Sequence, residues 1–141
     1  MVRDYDAARD RPALLARGAD PRALDAGVFS VVTADTGAAD GFAAWKGPAA
    51  GGLPELGDVW TRANDRRLFY RLVAGVVERV LARGYKRGTF RVLDRRLLTL
   101  IQRDFTVEPK AQGWDGATGE PAEWSVEVDL ADALAQLARV T

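Results

Sequence analysis

The stretch NDRRLFYRLVAGVVERVLARG, residues 64 to 84, constrains this chain more than any other. Leu68, Phe69, Leu72, Val73, Val76, Val77, Val80 and Leu81 recur at the spacing of one face of an α-helix. Arg66, Arg67, Arg71, Glu78 and Arg79 fall largely on the other side. The pattern predicts a helix from about residue 64 to 83, with Gly84 at the C′ position where a helix commonly stops. An apolar stripe of that length has to be buried against another element. The flanking segments DVWTR (58–62) and GTFRVL (88–93) are β-branched and aromatic, and read as strands.

The rest of the chain alternates in the same way. VRDY (2–5) reads as a short edge strand and residues 6–18 as helical, with Asp6 as N-cap and Gly18 at the end. Pro12 interrupts a long helix, so a turn followed by a short helix is expected there. Asp20-Pro21 opens another short helix to residue 27. GVFSVV (27–32) and GFAAWK (41–46) form a hairpin around a loop near residues 35–40. The Gly- and Pro-rich segment 47–57 reads as a mobile loop. Residues 95–104 form a short helix, 105–109 a strand and 111–123 a loop. WSVEVDL (124–130) alternates as a half-buried strand, and 131–140 is a closing amphipathic helix. No repeat or long linker divides the chain, so a single domain over 1–141 is expected.

Composition narrows the chemistry. With no cysteine and no histidine, disulfides, thiolate chemistry, the Ser-His-Asp triad and most zinc sites are excluded. Proton transfer has to use carboxylates, Lys, Tyr or water. No clustered Asp/Glu loop resembles a metal ligand set, and no metal is expected. The N-terminus is charged, and no apolar run is long enough for a bilayer, so a cytoplasmic protein without membrane contact is expected.

The net charge is zero, but residues 62–103 hold 12 basic and 3 acidic side chains between acidic flanks. A basic segment of this kind attracts an anion locally, or pairs as a solvated face with the acidic ends. DVWTRANDRR is a strand, a turn and a helix start with arginines at its mouth, an arrangement that many proteins use for phosphate. The turn lacks the glycine that lets backbone wrap a phosphate closely.

The order of elements resembles the GCN5-related N-acetyltransferase (GNAT) fold. VRDYDAARD is similar to that family's opening strand and helix, and GVFSVVTADTGAADGFAAWK to its central hairpin. LFYRLVAGVVERVLARGYKRGTFRVLD is similar to its long helix, Gly-Tyr stop and next strand, and RRLLTLIQRDF stands where it has a short helix. The resemblance covers roughly residues 2–110. It implies an α/β (α+β) architecture with a mixed, mostly antiparallel central sheet and flanking helices.

It also implies acetyl-CoA between the fourth and fifth strands. The backbone of Val59, Trp60 and Thr61 would meet the pantetheine arm, and the long helix's N-terminus would meet the pyrophosphate. The family's loop reads Gln or Arg, two residues, Gly, one residue, then Gly or Ala. Here the run is Arg62-Ala63-Asn64-Asp65-Arg66-Arg67. Arg62 matches, whereas Asp65 and Arg67 replace the small residues, so Arg66 and Arg67 would hold phosphate by side chain. Asp65 also reads as an acidic first-turn residue favoured by the helix dipole.

The family's acid is a tyrosine in the short helix, which aligns with Leu100; residues 94–105 contain no tyrosine. Tyr70 reads as packing at the core edge and Tyr85 as anchoring the turn after the long helix. Glu55 and Asp58 are the candidate bases, with an exposed loop acid as the alternative reading of each. Trp124 fits a packed strand, and Trp114 a loop contact with a ligand or partner.

The function implied is acetyl-CoA-dependent N-acetyl transfer to an amine by direct attack on the thioester. The alternative is a catalytically silent GNAT-like module in an assembly. The basic helix and the C-terminal helix offer surfaces for a second copy or another chain. Nucleic-acid binding through residues 62–103 is not expected, because aromatic residues there are few and no recognition motif appears.

Overall fold

The structure is a computed structural model that describes residues 2–26, 29–33, 39–48, 52–62 and 65–140. Its elements are β1 (Val2–Asp4), α1 (Ala7–Ala16), α2 (Pro21–Ala26), β2 (Phe29–Thr33), β3 (Gly41–Lys46), β4 (Glu55–Thr61), α3 (Arg66–Ala82), β5 (Arg87–Val92), α4 (Arg95–Asp104), β6 (Pro109–Trp114), β7 (Pro121–Asp129) and α5 (Leu130–Val140). The seven strands make one sheet in the order β1-β2-β3-β4-β5-β7-β6. Every pairing is antiparallel except β4 with β5. That parallel pair is joined by α3, the crossover that parallel strands require. The mixed, mostly antiparallel sheet with flanking helices is the architecture expected from the sequence.

Strand alternation sorts the core onto two faces. Val31, Ala43 and Trp45 pack against α3 through Tyr70, Leu72, Val76, Val77 and Val80, and against Leu137 of α5. Val32, Phe42 and Ala44 turn the other way, onto Leu14 of α1 and Leu24 of α2. On the α3 side, Val92, Trp124 and Val126 meet Leu98 and Ile101 of α4. Trp124 is buried, with the Arg95 guanidinium 5.7 Å from its ring centroid.

A bulge in β4 shapes this face. Ala43 pairs with Val59 but Trp45 pairs with Leu56, so β4 carries one extra residue between the two pairs. Leu56 and Val59 therefore both turn toward the α3 side, while Trp60 packs on the α1–α2 side. Trp45 lies over Gly88, where a Cβ would stand 2.5 Å from its Cζ2. Only glycine at that point of β5 leaves room for the indole.

Five expectations are corrected. Helix α1 runs unbroken through Pro12. The Asp6 cap, the buried Leu14 and the clamp of Arg3 on Asp10 hold it despite the missing N–H. Residues 55–57, read as loop, belong to β4, because β3 and β5 supply partners on both sides of Glu55 and Leu56. The strand read at 105–109 instead runs from Pro109 to Trp114, and the supposed loop at 111–123 is a β6–β7 hairpin with its turn at 115–120. Strand β6 is an exposed edge with no burial alternation, so only its ladder with β7 defines it. Helix α3 begins at Arg66, with Asp65 as N-cap. The tip of the β2–β3 loop, residues 34–38, and residues 49–51 of the Gly-Pro segment lie outside the described residues.

Candidate functional site

A cavity of about 480 Å³ lies on the α3 side of the sheet, against the parallel pair. Trp45, Leu56, Val59, Phe90 and Val128 line it from the sheet, Phe69, Tyr70, Val73 and Val77 from α3, and Leu97 and Ile101 from α4. Gln136 and Leu137 of α5 also line it. The exposed charged residues Arg87, Arg91, Asp94, Glu127, Asp129 and Asp132 also line it, so an apolar interior meets a charged rim, and the volume is that of a small-molecule site. The bulge builds it, since only the extra residue in β4 brings Leu56 and Val59 to one side.

The part of β4 that β5 does not pair lies at one end of this region. Val59, Trp60 and Thr61 pair with Ala43, Phe42 and Gly41 of β3. The β4–β5 pairs are Glu55 with Thr89 and Leu56 with Phe90, and β5 ends at Val92. Among the described residues, no strand pairs with the other side of Val59 and Trp60. Backbone donors and acceptors there need other partners.

The helix mouth next to that edge is built by Asp65. Its Oδ1 accepts the Leu68 N–H at 3.1 Å, a standard N-cap. The cap thus occupies one of the helix N–H groups that an anion could otherwise use. Arg62 is exposed, its N–H donates to the Asp40 carbonyl at 2.9 Å, and its Nη1 is 3.9 Å from Asp40 Oδ1. Arg66 reaches toward Asp104, at 3.6 Å, and Arg67 is exposed. Ala63 and Asn64 lie outside the described residues. The structure thus places Arg62, Arg66 and Arg67 at one end of α3, with the first two leaning on carboxylates.

The two candidate bases differ. Glu55 Oε1 is 2.9 Å from Arg91 Nε, and Arg91 also reaches Glu123 at 3.2 Å, so Glu55 sits in an ion-paired row across the strands. The backbone of Asp58 runs in β4, and its side chain lies outside the described residues.

Tyr70 lines the cavity as well. It is 1% exposed, and its hydroxyl donates to Asp104 Oδ2 at 2.7 Å. Burial first, and then the Asp104 carboxylate, push its phenol well above the usual range. The same bond, helped by Arg103 and Arg66, holds Asp104 below the usual carboxylate range. A phenol so placed is a hydrogen-bond donor and not a phenolate. Tyr85 packs half-buried behind Gly84, which adopts φ +95°. Leu100, aligned with the family's acid, is a half-buried apolar residue of α4. Trp114 is 61% exposed and lies in strand β6, not in a loop.

Sequence reasoning missed Trp45, Tyr70, Phe90 and Gln136 as cavity residues. Gln136 is buried in α5, accepting the Thr106 N–H at 3.0 Å and donating to Asp132 at 3.3 Å. A glutamine on the apolar face of a helix was a visible oddity in the sequence, but its partner lies 30 positions away.

No family model matches the chain, and no curated protein matches it in sequence. Solved structures do. Ribosomal-protein-alanine N-acetyltransferase from Brucella melitensis aligns at 18% identity and TM-score 0.66, over 92% of this chain and 99% of that one. The ribosomal-protein-S18-alanine N-acetyltransferase of Escherichia coli aligns at 12% identity and TM-score 0.69, over 92% and 93%. A GNAT-family protein from Chromobacterium violaceum aligns at 17% identity and TM-score 0.65, over 93% and 87%. At these identities the likeness is one of fold, and the chain has the fold of the GNAT superfamily.

Proposed function

We propose that the chain is an acyl-CoA-dependent N-acyltransferase, with acetyl-CoA as the reference donor and an amine as acceptor. The observation that carries this reading is the side of β4 at Val59 and Trp60 that no described strand pairs, beside a cavity with an apolar interior and a helix mouth with three arginines. The edge offers N–H and C=O groups to the amides of an extended pantetheine arm, as a strand does to a peptide. Arg62, Arg66 and Arg67 supply charge-assisted bonds to the diphosphate in place of a glycine loop. The thioester, when bound, supplies an acyl group that an amine accepts, with CoA leaving as a thiol and carrying the proton that the amine loses. The protein's part is to position the two partners and to aim backbone N–H groups at the carbonyl.

Glu55 is tied to Arg91 and Tyr70 to Asp104. Those two bonds favour a second reading, a silent module that binds CoA without turnover. Calorimetric titration of the chain, stripped of bound ligand, with CoA and acetyl-CoA tests the first step. Micromolar binding weakened by Arg62→Ala or by charge reversal at Arg66 and Arg67 supports the site, and no binding at millimolar ligand ends both readings. An amine screen for thiol release then separates enzyme from module.

A further inference from the structure

Asp104, the last residue of α4, joins the helix mouth to the cavity wall. Its Oδ2 accepts the Tyr70 hydroxyl at 2.7 Å, and the same oxygen lies 3.6 Å from Arg66 Nη1. Arg66 and Tyr70 stand four positions apart on α3 and so share one face of that helix. Tyr70 lines the cavity, whereas Arg66 stands at the mouth. Arg103 of α4 takes the other oxygen, its Nε 3.5 Å from Oδ1. The two ties to α3 are unequal. The Tyr70 bond is short and its ring is buried. The Arg66 pair is longer than a charge-assisted hydrogen bond and its guanidinium is half-exposed, so it is weak. A phosphate offers that guanidinium more charge and two parallel bonds.

What hangs on Asp104 is a wall of the cavity. Leu97 and Ile101 of α4 line it, and so do Phe105 and Thr106 just past the helix end. At its start α4 is held by Arg95 over the Trp124 ring, and along its length by Leu98 and Ile101. At its end Asp104 ties it to α3, with Phe105 edge-on to Tyr70.

We infer that Arg66 is a switch between the mouth and the cavity wall: without ligand it helps to pin the end of α4 through Asp104, and a phosphate bound at the mouth draws it off and loosens that wall. The inference rests on the acyl-CoA reading above, in which the phosphate is the donor's diphosphate. It sets an order of binding. The diphosphate arrives first, the looser wall then admits the arm, and contacts of the arm with Leu97 and Ile101 close the wall again. Asp104 keeps Tyr70 and Arg103 throughout, so the wall loosens without detaching.

Inorganic pyrophosphate is the probe, because it carries the charge of the diphosphate without an arm to fill the cavity. Amide hydrogen exchange is followed by NMR at two positions at the end of α4. The Phe105 N–H donates to the Ile101 carbonyl at 2.8 Å, and the Thr106 N–H to Gln136 Oε1 at 3.0 Å. Saturating pyrophosphate at constant ionic strength is expected to speed both amides about two- to fivefold, the effect of losing one half-exposed ion pair, and to leave the amides of α1 unchanged. In Arg66→Gln both amides are expected to exchange at the faster rate without pyrophosphate, and adding it changes nothing. Pyrophosphate that binds without speeding the two amides overturns the inference, and so does pyrophosphate that does not bind. CoA titrated alongside keeps the two readings apart. If CoA binds while pyrophosphate leaves the amides unmoved, the switch falls and the acyl-CoA reading stands. If CoA does not bind at millimolar ligand, the acyl-CoA reading falls, and the pyrophosphate result alone decides the switch.

Discussion

The Tyr70 hydroxyl donates a 2.7 Å hydrogen bond to Asp104 Oδ2, joining the first half of α3 to the last residue of α4. Phe105 stacks edge-on against the same ring, at 5.3 Å between centroids. Together these contacts close one end of the cavity between the two helices. Tyr70→Phe keeps the packing and leaves the depressed Asp104 carboxylate without its donor. It is expected to cost roughly 1.5–3 kcal/mol, the range for hydrogen bonds to charged groups. Urea denaturation at neutral pH measures it. A loss below about 0.5 kcal/mol would show that the bond does not hold α4 in place.

Acid sensitivity is expected to centre on Asp10. Its carboxylate is 2% exposed, takes the Arg3 guanidinium at 2.6 and 2.7 Å, and accepts the Asp6 N–H at 2.9 Å. The Arg3 bonds hold it below the usual carboxylate range. Its contribution is therefore complete above the unfolded value of about 3.9 and is lost as pH falls through the folded one. Arg3→Ala leaves a buried, under-compensated charge and is expected to cost about 3 kcal/mol at pH 7. The stability of the variant should then fall less steeply than that of the native chain between about pH 5 and pH 2. Parallel slopes in that range would assign the acid transition to other carboxylates.

Gly88→Ala would place a methyl group 2.5 Å from Trp45 Cζ2 and 3.2 Å from Leu130 Cδ2. The indole is buried and lines the cavity, so a shift of the ring changes the cavity wall. Overpacking of this kind costs roughly 1–3 kcal/mol. Thermal melting should show it, together with a changed near-ultraviolet tryptophan spectrum. An unchanged melting temperature would mean that the ring yields freely.

Asp65→Asn separates the cap from its charge. Asparagine caps a helix as well as aspartate does, so stability should change by less than about 0.5 kcal/mol. Removing a negative charge beside the proposed diphosphate position should tighten CoA binding by about two- to fivefold at low salt, and by less at high salt. Unchanged affinity would place the diphosphate away from the mouth of α3. Asp65→Ala, which removes the cap as well, should lose about 1 kcal/mol of stability.

The sequence by itself determined the elements whose residues state their own periodicity. The stripe from Leu68 to Leu81 marked α3, residues 95–104 were legible as the short helix α4, and Trp124 to Leu130 marked most of β7. Their order was enough to indicate a mixed sheet of GNAT type. Tertiary structure decided what rests on pairing and depth. Strand β6 exists through its ladder with β7, and Glu55 and Leu56 are strand because they have partners on both sides. The cavity depends on one extra residue in β4, which turns Leu56 and Val59 to the same face, a register that no local pattern encodes. Trp45 read simply as the end of a hairpin strand. Its unpartnered donor becomes visible only where β5, α3 and the bulge enclose it, because hydrogen-bond satisfaction is a property of the folded surroundings and not of the residue.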